Sequence, residues 1–90
     1  MESTDPIELS KKYKEDADYF TNLLQAASIK NQRFIETYEA LIQACHAASA
    51  AYTAYATATT DATITTARRD VNTCAMQVQT ALSAVRLFVV

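Results

Sequence analysis

The middle of the chain reads Ala56-Thr57-Ala58-Thr59-Thr60-Asp61-Ala62-Thr63. Its threonines are β-branched and lower the helix propensity of this stretch. Thr59, Thr60 and Asp61 are also residue types that cap the start of a helix. The stretch therefore predicts a turn at which one helix ends and a second helix begins near residue 61.

An apolar repeat in alternating steps of four and three leads up to this turn. Asp5 and Pro6 predict where its helix starts, because aspartate caps a helix and proline fits the first helical position. Only Asn31 interrupts the repeat, and its spacing predicts one apolar stripe along a helix, as in coiled coils and antiparallel bundles. We call this row the first seam, and its members are Tyr13, Ala17, Phe20, Leu24, Ala27, Asn31, Phe34, Tyr38, Leu41, Cys45, Ala48, Tyr52 and Tyr55.

A second apolar repeat follows the turn, and its phase does not continue the first seam. This second seam consists of Ile64, Ala67, Val71, Cys74, Val78, Ala81, Val85 and Phe88. Two helices explain the change of phase, so the sequence predicts an all-α fold. We expect an antiparallel, coiled-coil-like helical hairpin with helices over about 6–57 and 61–89. In this hairpin Cys45 and Cys74 lie level with each other, within disulfide reach.

The N-terminal arm, residues 6–28, has no partner inside such a hairpin. One alternative is a bend around 28–31 that makes the arm the third helix of a bundle, and the other is a straight helix whose arm packs on another chain. The unbroken phase of the first seam and the lack of glycine and proline there favour the straight helix. Apolar residues outside the seams point to a third helix or another subunit: Ile35, Ile42, Ala75, Leu82 and Val89.

Composition limits what the chain can be. Its 90 residues suffice for one domain, which we expect to cover 1–90, and no glycine is present to build a phosphate-binding loop. A net charge of −2 gives no electrostatic surface for nucleic acid. The uncharged stretch 40–60 is too weakly apolar to predict a membrane span, and the acidic, polar N-terminus does not resemble a secretory signal. We therefore expect a cytoplasmic protein.

The residue types that carry chemistry are few and poorly spaced. Cys45 and His46 are adjacent, about 100° apart on a helix, whereas ligands on one helix bind a metal together at i,i+3 or i,i+4. Glu36 and Glu39 have that spacing but no histidine partner, which indicates a solvated face. We expect buried free thiols, a half-covered His46, no metal, no cofactor, no small-molecule substrate and no enzymatic activity.

Apolar side chains left uncovered by a hairpin are typical of an interaction surface. We expect a non-enzymatic protein–protein interaction module, a small co-chaperone or assembly adaptor that docks partner helices; the alternative is a self-assembling subunit of a helical filament or shell. Its partner is another protein or copies of itself. The alanine-rich stretch 44–51 would let another helix approach closely on more than one side. The candidate partner-binding residues are Phe20, Leu23, Leu24, Leu82, Leu87, Phe88, Val89 and Val90.

Overall fold

The computed structural model describes residues 5–28 and 31–87. Across these residues the chain forms three α-helices packed together and no strand. Helix α1 covers Pro6–Ala26, α2 covers Gln32–Thr57 and α3 covers Asp61–Arg86. The prediction of an all-α fold is confirmed.

Two of the helix starts follow the local signals in the sequence. The side chain of Asp5 accepts a hydrogen bond from the Ile7 amide at 2.9 Å, and Pro6 takes the first helical position. At the central turn, the Thr63 amide donates to the Thr60 hydroxyl at 3.2 Å, and the Thr60 amide donates to the Thr63 hydroxyl at 3.1 Å. This reciprocal capping box satisfies amides that a helix start leaves without partners, so α3 begins where the threonine stretch predicts.

The expectation of one straight helix over 6–57 is wrong. The chain leaves α1 at Ala27, whose backbone is extended (φ −64°, ψ 130°), and α2 begins after Asn31. Asn31 caps α2, since its side-chain oxygen accepts from the Phe34 amide at 2.7 Å. The bend buries the apolar stripe of α1 on α2, whereas a lone straight helix would leave that stripe in water. The arm is therefore a third helix, and the predicted end of α3 at 89 lies outside the described residues.

Helix α2 lies at the centre and α1 and α3 both pack on it. Side-chain contacts pair the start of α1 with the end of α2, so these two helices run antiparallel: the Tyr13 and Tyr52 rings stack at 5.6 Å, and the Phe20 and Tyr38 rings meet edge-on at 6.5 Å. No Cα atom of α1 comes within 8 Å of a Cα atom of α3. Each outer helix therefore depends on α2 for its backbone packing.

A cluster of hydroxyl groups joins α1 to α2. The Ser10 hydroxyl donates to the Ser49 carbonyl at 3.0 Å, and the Ser49 hydroxyl donates to the Ser10 carbonyl at 2.9 Å. Thr53 adds a third group, with its hydroxyl 2.7 Å from that of Ser10. These reciprocal bonds set the position of α1 along α2, because a shift by one residue would leave the hydroxyls without their partners.

The core is drawn from the two seams. Leu41 and Cys45 are the largest side chains with no solvent exposure, and both lie on the first seam in α2. Ala51 is the one buried hydrophobic residue of the described chain that neither seam contains. The buried hydrophobic residues are Ala17, Tyr38, Leu41, Cys45, Ala48, Ala51, Ala67, Val71, Val78 and Val85.

Candidate docking groove

An open groove of about 980 Å³ runs between α2 and α3. We call it the α2–α3 groove. Its α2 side is lined by Ala40, Gln43, Ala44 and Ala47. Its α3 side is lined by Thr73, Met76, Gln77, Thr80, Ala81 and Ala84.

The groove exists because α1 packs on the opposite side of α2. Ser49, which contacts α1, follows Ala47 by two residues. At about 100° per residue, these two side chains point to nearly opposite sides of the helix. Among the described residues, no third helix therefore covers the space between α2 and α3 on this side, and the alanines of α2 are too small to fill it.

The lining is apolar and carries no charge. Alanines make up half of it, and the polar members are glutamine and threonine, whose side chains are neutral. Met76 stands at the edge of the groove with 71% of its surface exposed. A surface of this kind suits an apolar ligand or a helix better than an ionic one.

A second, smaller hollow of about 330 Å³ lies at the central turn. Threonines from both helices line it, together with Asp70. It is open and contains one acidic group, so it offers no set of groups that would act together on a ligand.

The candidate partner-binding residues are divided between the core and the surface. Phe20, Leu24 and Leu82 pack against the core cluster and are partly buried within the chain. Leu23 and Leu87 are exposed, at 39% and 72% of their surface. The remaining candidates, Phe88, Val89 and Val90, lie outside the described residues.

None of the candidate residues lines the α2–α3 groove, which the sequence reasoning did not locate. The signal that could have found it is the alanine-rich stretch 44–51, which predicted close approach of another helix. Two of its alanines, Ala44 and Ala47, do line the groove. The matching alanines of α3, Ala81 and Ala84, lie in a helix that is less rich in alanine, so no comparable stretch marks them.

The two cysteines are held as neutral thiols. Burial raises the pKa of the Cys45 thiol to about 11, and the charge of Asp16 adds to the effect. Burial also raises the pKa of Cys74, with a further contribution from Asp70. A raised pKa disfavours the thiolate, which is the nucleophile and the metal ligand, so these positions suit packing better than reaction.

Cys74 packs against the core cluster that contains Cys45. Both cysteines are free, and the described residues hold no group of three or more side chains that could bind a metal ion. His46 is exposed. Glu36 and Glu39 are exposed, in agreement with the predicted solvated face.

No helix within residues 5–28 or 31–87 is both long and apolar enough to cross a membrane. No family model, curated protein or solved structure matches the chain.

Proposed function

We propose that this chain is a non-enzymatic protein–protein interaction module of the cytoplasm, a small co-chaperone or assembly adaptor. Its α2–α3 groove binds one amphipathic helix of the partner protein. The observation that carries the proposal is an uncharged groove of about 980 Å³, half of whose lining residues are alanine, on the side of α2 that α1 does not cover.

The length of the groove matches a helix. Its α3 side runs from Thr73 to Ala84, which at 1.5 Å per residue is about 16 Å, or three helical turns. A partner helix that lies along it would present apolar residues at i, i+3, i+4 and i+7. That spacing is the one by which helices are recognised in grooves.

The lining also specifies the chemistry of the partner. Because the host side chains are small, the partner must supply large ones, such as leucine, isoleucine or phenylalanine, to fill the space. A charge on the inserted face would lose its water without an opposite charge to meet it. Met76 is flexible and polarizable, so the edge of the groove can adapt to more than one partner surface.

The lining of the groove lacks the side chains on which most catalysis depends. Its polar groups are amides and hydroxyls, with no histidine, carboxylate, amine or thiol among them. General acid–base and nucleophilic catalysis depend on such groups, the nucleophile being activated by a neighbouring base or by a shifted pKa. Binding is the function that this surface supports best.

A site-specific cross-linking experiment tests the proposal. A photo-reactive amino acid replaces Gln77 in the groove or, as the control, Gln79, which is exposed and points about 160° away on the same helix. We expect a defined partner to cross-link from position 77 and not from position 79, through a helix with an apolar face. Equal cross-linking from both positions would contradict the proposal.

Binding of a helical peptide to variants with an added charge tests whether the groove is the binding site. Gln77→Glu adds one negative charge to the groove, and Gln79→Glu adds the same charge outside it. The probe is a synthetic peptide helix of three turns with leucines at i, i+3, i+4 and i+7, and the reference peptide has the same composition with the leucines scattered. We expect Gln77→Glu to weaken binding of the probe by tenfold or more and Gln79→Glu by less than twofold. Similar losses in both variants would place the binding site elsewhere.

The competing proposal is a self-assembling structural subunit, and the exposed Leu87 is the observation that favours it. Light scattering separates the two, because a filament subunit grows without limit as concentration rises and an adaptor stops at a small closed complex. Continued growth of the purified chain would replace the adaptor proposal by this one.

A further inference from the structure

Helix α1 has its backbone packed on one neighbouring helix, α2. The interhelical hydroxyl bonds of Ser10 and the interhelical ring contacts of Tyr13 and Phe20 go to α2, and no Cα atom of α1 lies within 8 Å of a Cα atom of α3. The α2–α3 pair of a second copy presents the same surface. Helix α1 could therefore make the same contacts in another chain as in its own.

The sequence between α1 and α2 is compatible with a continuous helix. The first seam passes from Leu24 through Ala27 and Asn31 to Phe34 in steps of three and four, without a change of phase. The chain contains no glycine, and its one proline is Pro6. A helix that ran unbroken from the start of α1 to the end of α2 would have about 52 residues and a single apolar stripe.

Two such straight helices would bury each other's apolar stripe. The contacts between α1 and α2 join residues on either side of Asn31, as Ser10 to Ser49 and Tyr13 to Tyr52. A two-fold axis near Asn31 would place α1 of each chain on α2 of the other, with the same residues in contact. The α1–α2 interface is preserved in this arrangement.

Asn31 has a role in both arrangements. In the monomer its side chain caps α2 through the bond to the Phe34 amide at 2.7 Å. In a straight helix it becomes the one polar member of the first seam, next to the two-fold axis and opposite Asn31 of the second copy. A single asparagine at such a position is known to set the register and the number of chains in a coiled coil.

We propose that the α1-binding face of α2 also accepts α1 of a second copy, which gives a domain-swapped dimer of two long helices that cross at Asn31. Each dimer retains both α2–α3 grooves, so exchange of α1 and binding of a partner helix are independent of each other. The long helix would extend over about 78 Å, against 48 Å for the longest dimension of the described monomer.

Mixed cross-linking tests the swap directly. Both partners carry Cys45→Ala and Cys74→Ala; one also carries Ser10→Cys and the other Ser49→Cys. Neither chain can form an intrachain disulfide. They are mixed, unfolded, refolded together at high concentration and oxidised gently, and a non-reducing gel shows the products.

We expect a disulfide-linked heterodimer in the mixture, at least tenfold above the dimer in either variant alone, because the hydroxyls that these cysteines replace lie 3.1 Å apart. The control replaces Ser10→Cys by Lys12→Cys, an exposed position that points about 160° away. A heterodimer no more abundant than in this control would overturn the proposal.

Two substitutions at Asn31 give a second, independent readout. Asn31→Leu removes the cap and completes the apolar stripe, so we expect a tenfold or greater shift toward dimer in sedimentation velocity. Asn31→Asp keeps a capping side chain and places two like charges at the axis, so we expect the monomer. A dimer fraction that does not differ between the two variants would also overturn the proposal.

Discussion

The two helix pairs of this molecule are packed in different ways. The α1–α2 pair is joined by reciprocal hydroxyl bonds at Ser10 and Ser49 and by stacked tyrosine rings. The α2–α3 pair relies on small and β-branched side chains, such as Ala48 and Val78, and leaves an open groove along one side. In the first pair, hydrogen bonds between side chains and backbone fix the position of α1 along α2. In the second pair, small side chains leave a surface free for another molecule.

The largest expected effect comes from a substitution at Leu41, in the core that all three helices share. Leu41 has no solvent exposure and belongs to the cluster that joins all three helices. We expect Leu41→Ala to lower the free energy of unfolding by about 2–5 kcal/mol, since it leaves a cavity in the core. Urea unfolding followed by circular dichroism measures the change.

Leu23→Ala is the matched control, because Leu23 is 39% exposed and lies on α1. Its expected loss is below about 1 kcal/mol, since burying only part of a leucine contributes less than full burial. Equal losses for the two leucines would mean that Leu41 does not lie in a packed core.

The next largest effect is a dependence on pH. An unfolded cysteine has a pKa near the reference value of 9.0, and burial raises that of Cys45 to about 11. Below pH 9 both states carry the neutral thiol. Between pH 9 and 11 the unfolded chain loses the proton first, so the free energy of unfolding falls by about 2–3 kcal/mol through this group.

Urea unfolding at pH 8, 9.5 and 11 checks this prediction in the native chain and in Cys45→Ala. Burial raises the pKa of Tyr13 as well, and the charge of Cys45 adds to that rise, so the difference between the two chains reports the thiol together with its coupling to Tyr13. Cys74→Ala, at a partly exposed position, should retain most of the loss. An identical pH dependence with and without Cys45 would contradict the prediction.

The smallest effect sharpens the comparison of the two helix pairs. Ser49→Ala removes the hydroxyl that donates to the Ser10 carbonyl across the α1–α2 interface. Ser83→Ala removes a hydroxyl that donates within α3, to the Gln79 carbonyl at 3.1 Å. Both changes gain the same helix propensity, so their difference reports the interhelical bonds.

We expect Ser49→Ala to be the less stable variant by about 1 kcal/mol. Thermal or urea unfolding of the two proteins under one condition provides the measurement. If Ser83→Ala were as unstable as Ser49→Ala, the hydroxyl cluster would contribute nothing specific to the α1–α2 pair.

Much of the fold follows from signals that are local along the chain. The threonine stretch places the central turn, and Asp5 and Pro6 place the start of α1. The seams identify nine of the ten buried hydrophobic residues, all but Ala51. These predictions succeed because capping, propensity and the 3.5-residue repeat depend on neighbours within a few turns.

The bend between α1 and α2 could not be predicted in the same way. Residues 27–31 contain no glycine or proline, and although Ser28 and Asn31 favour a local break, the first seam passes through them in phase. The choice between a bent and a straight chain depends on what covers the apolar stripe of α1. The outcome depends on the free energy gained when the apolar stripe of α1 is buried, compared with the local helix propensity of residues 27–31. The sequence pattern does not give the relative size of these two terms.

The sequence by itself determined that the chain is helical, where two of its helices start and which faces of them are apolar. Only the tertiary structure decided that α1 folds onto α2, and therefore which side of α2 and α3 is left open as a groove. The physical reason is that a helix forms through bonds to its own neighbours, whereas the exposure of its surface depends on where the other helices lie.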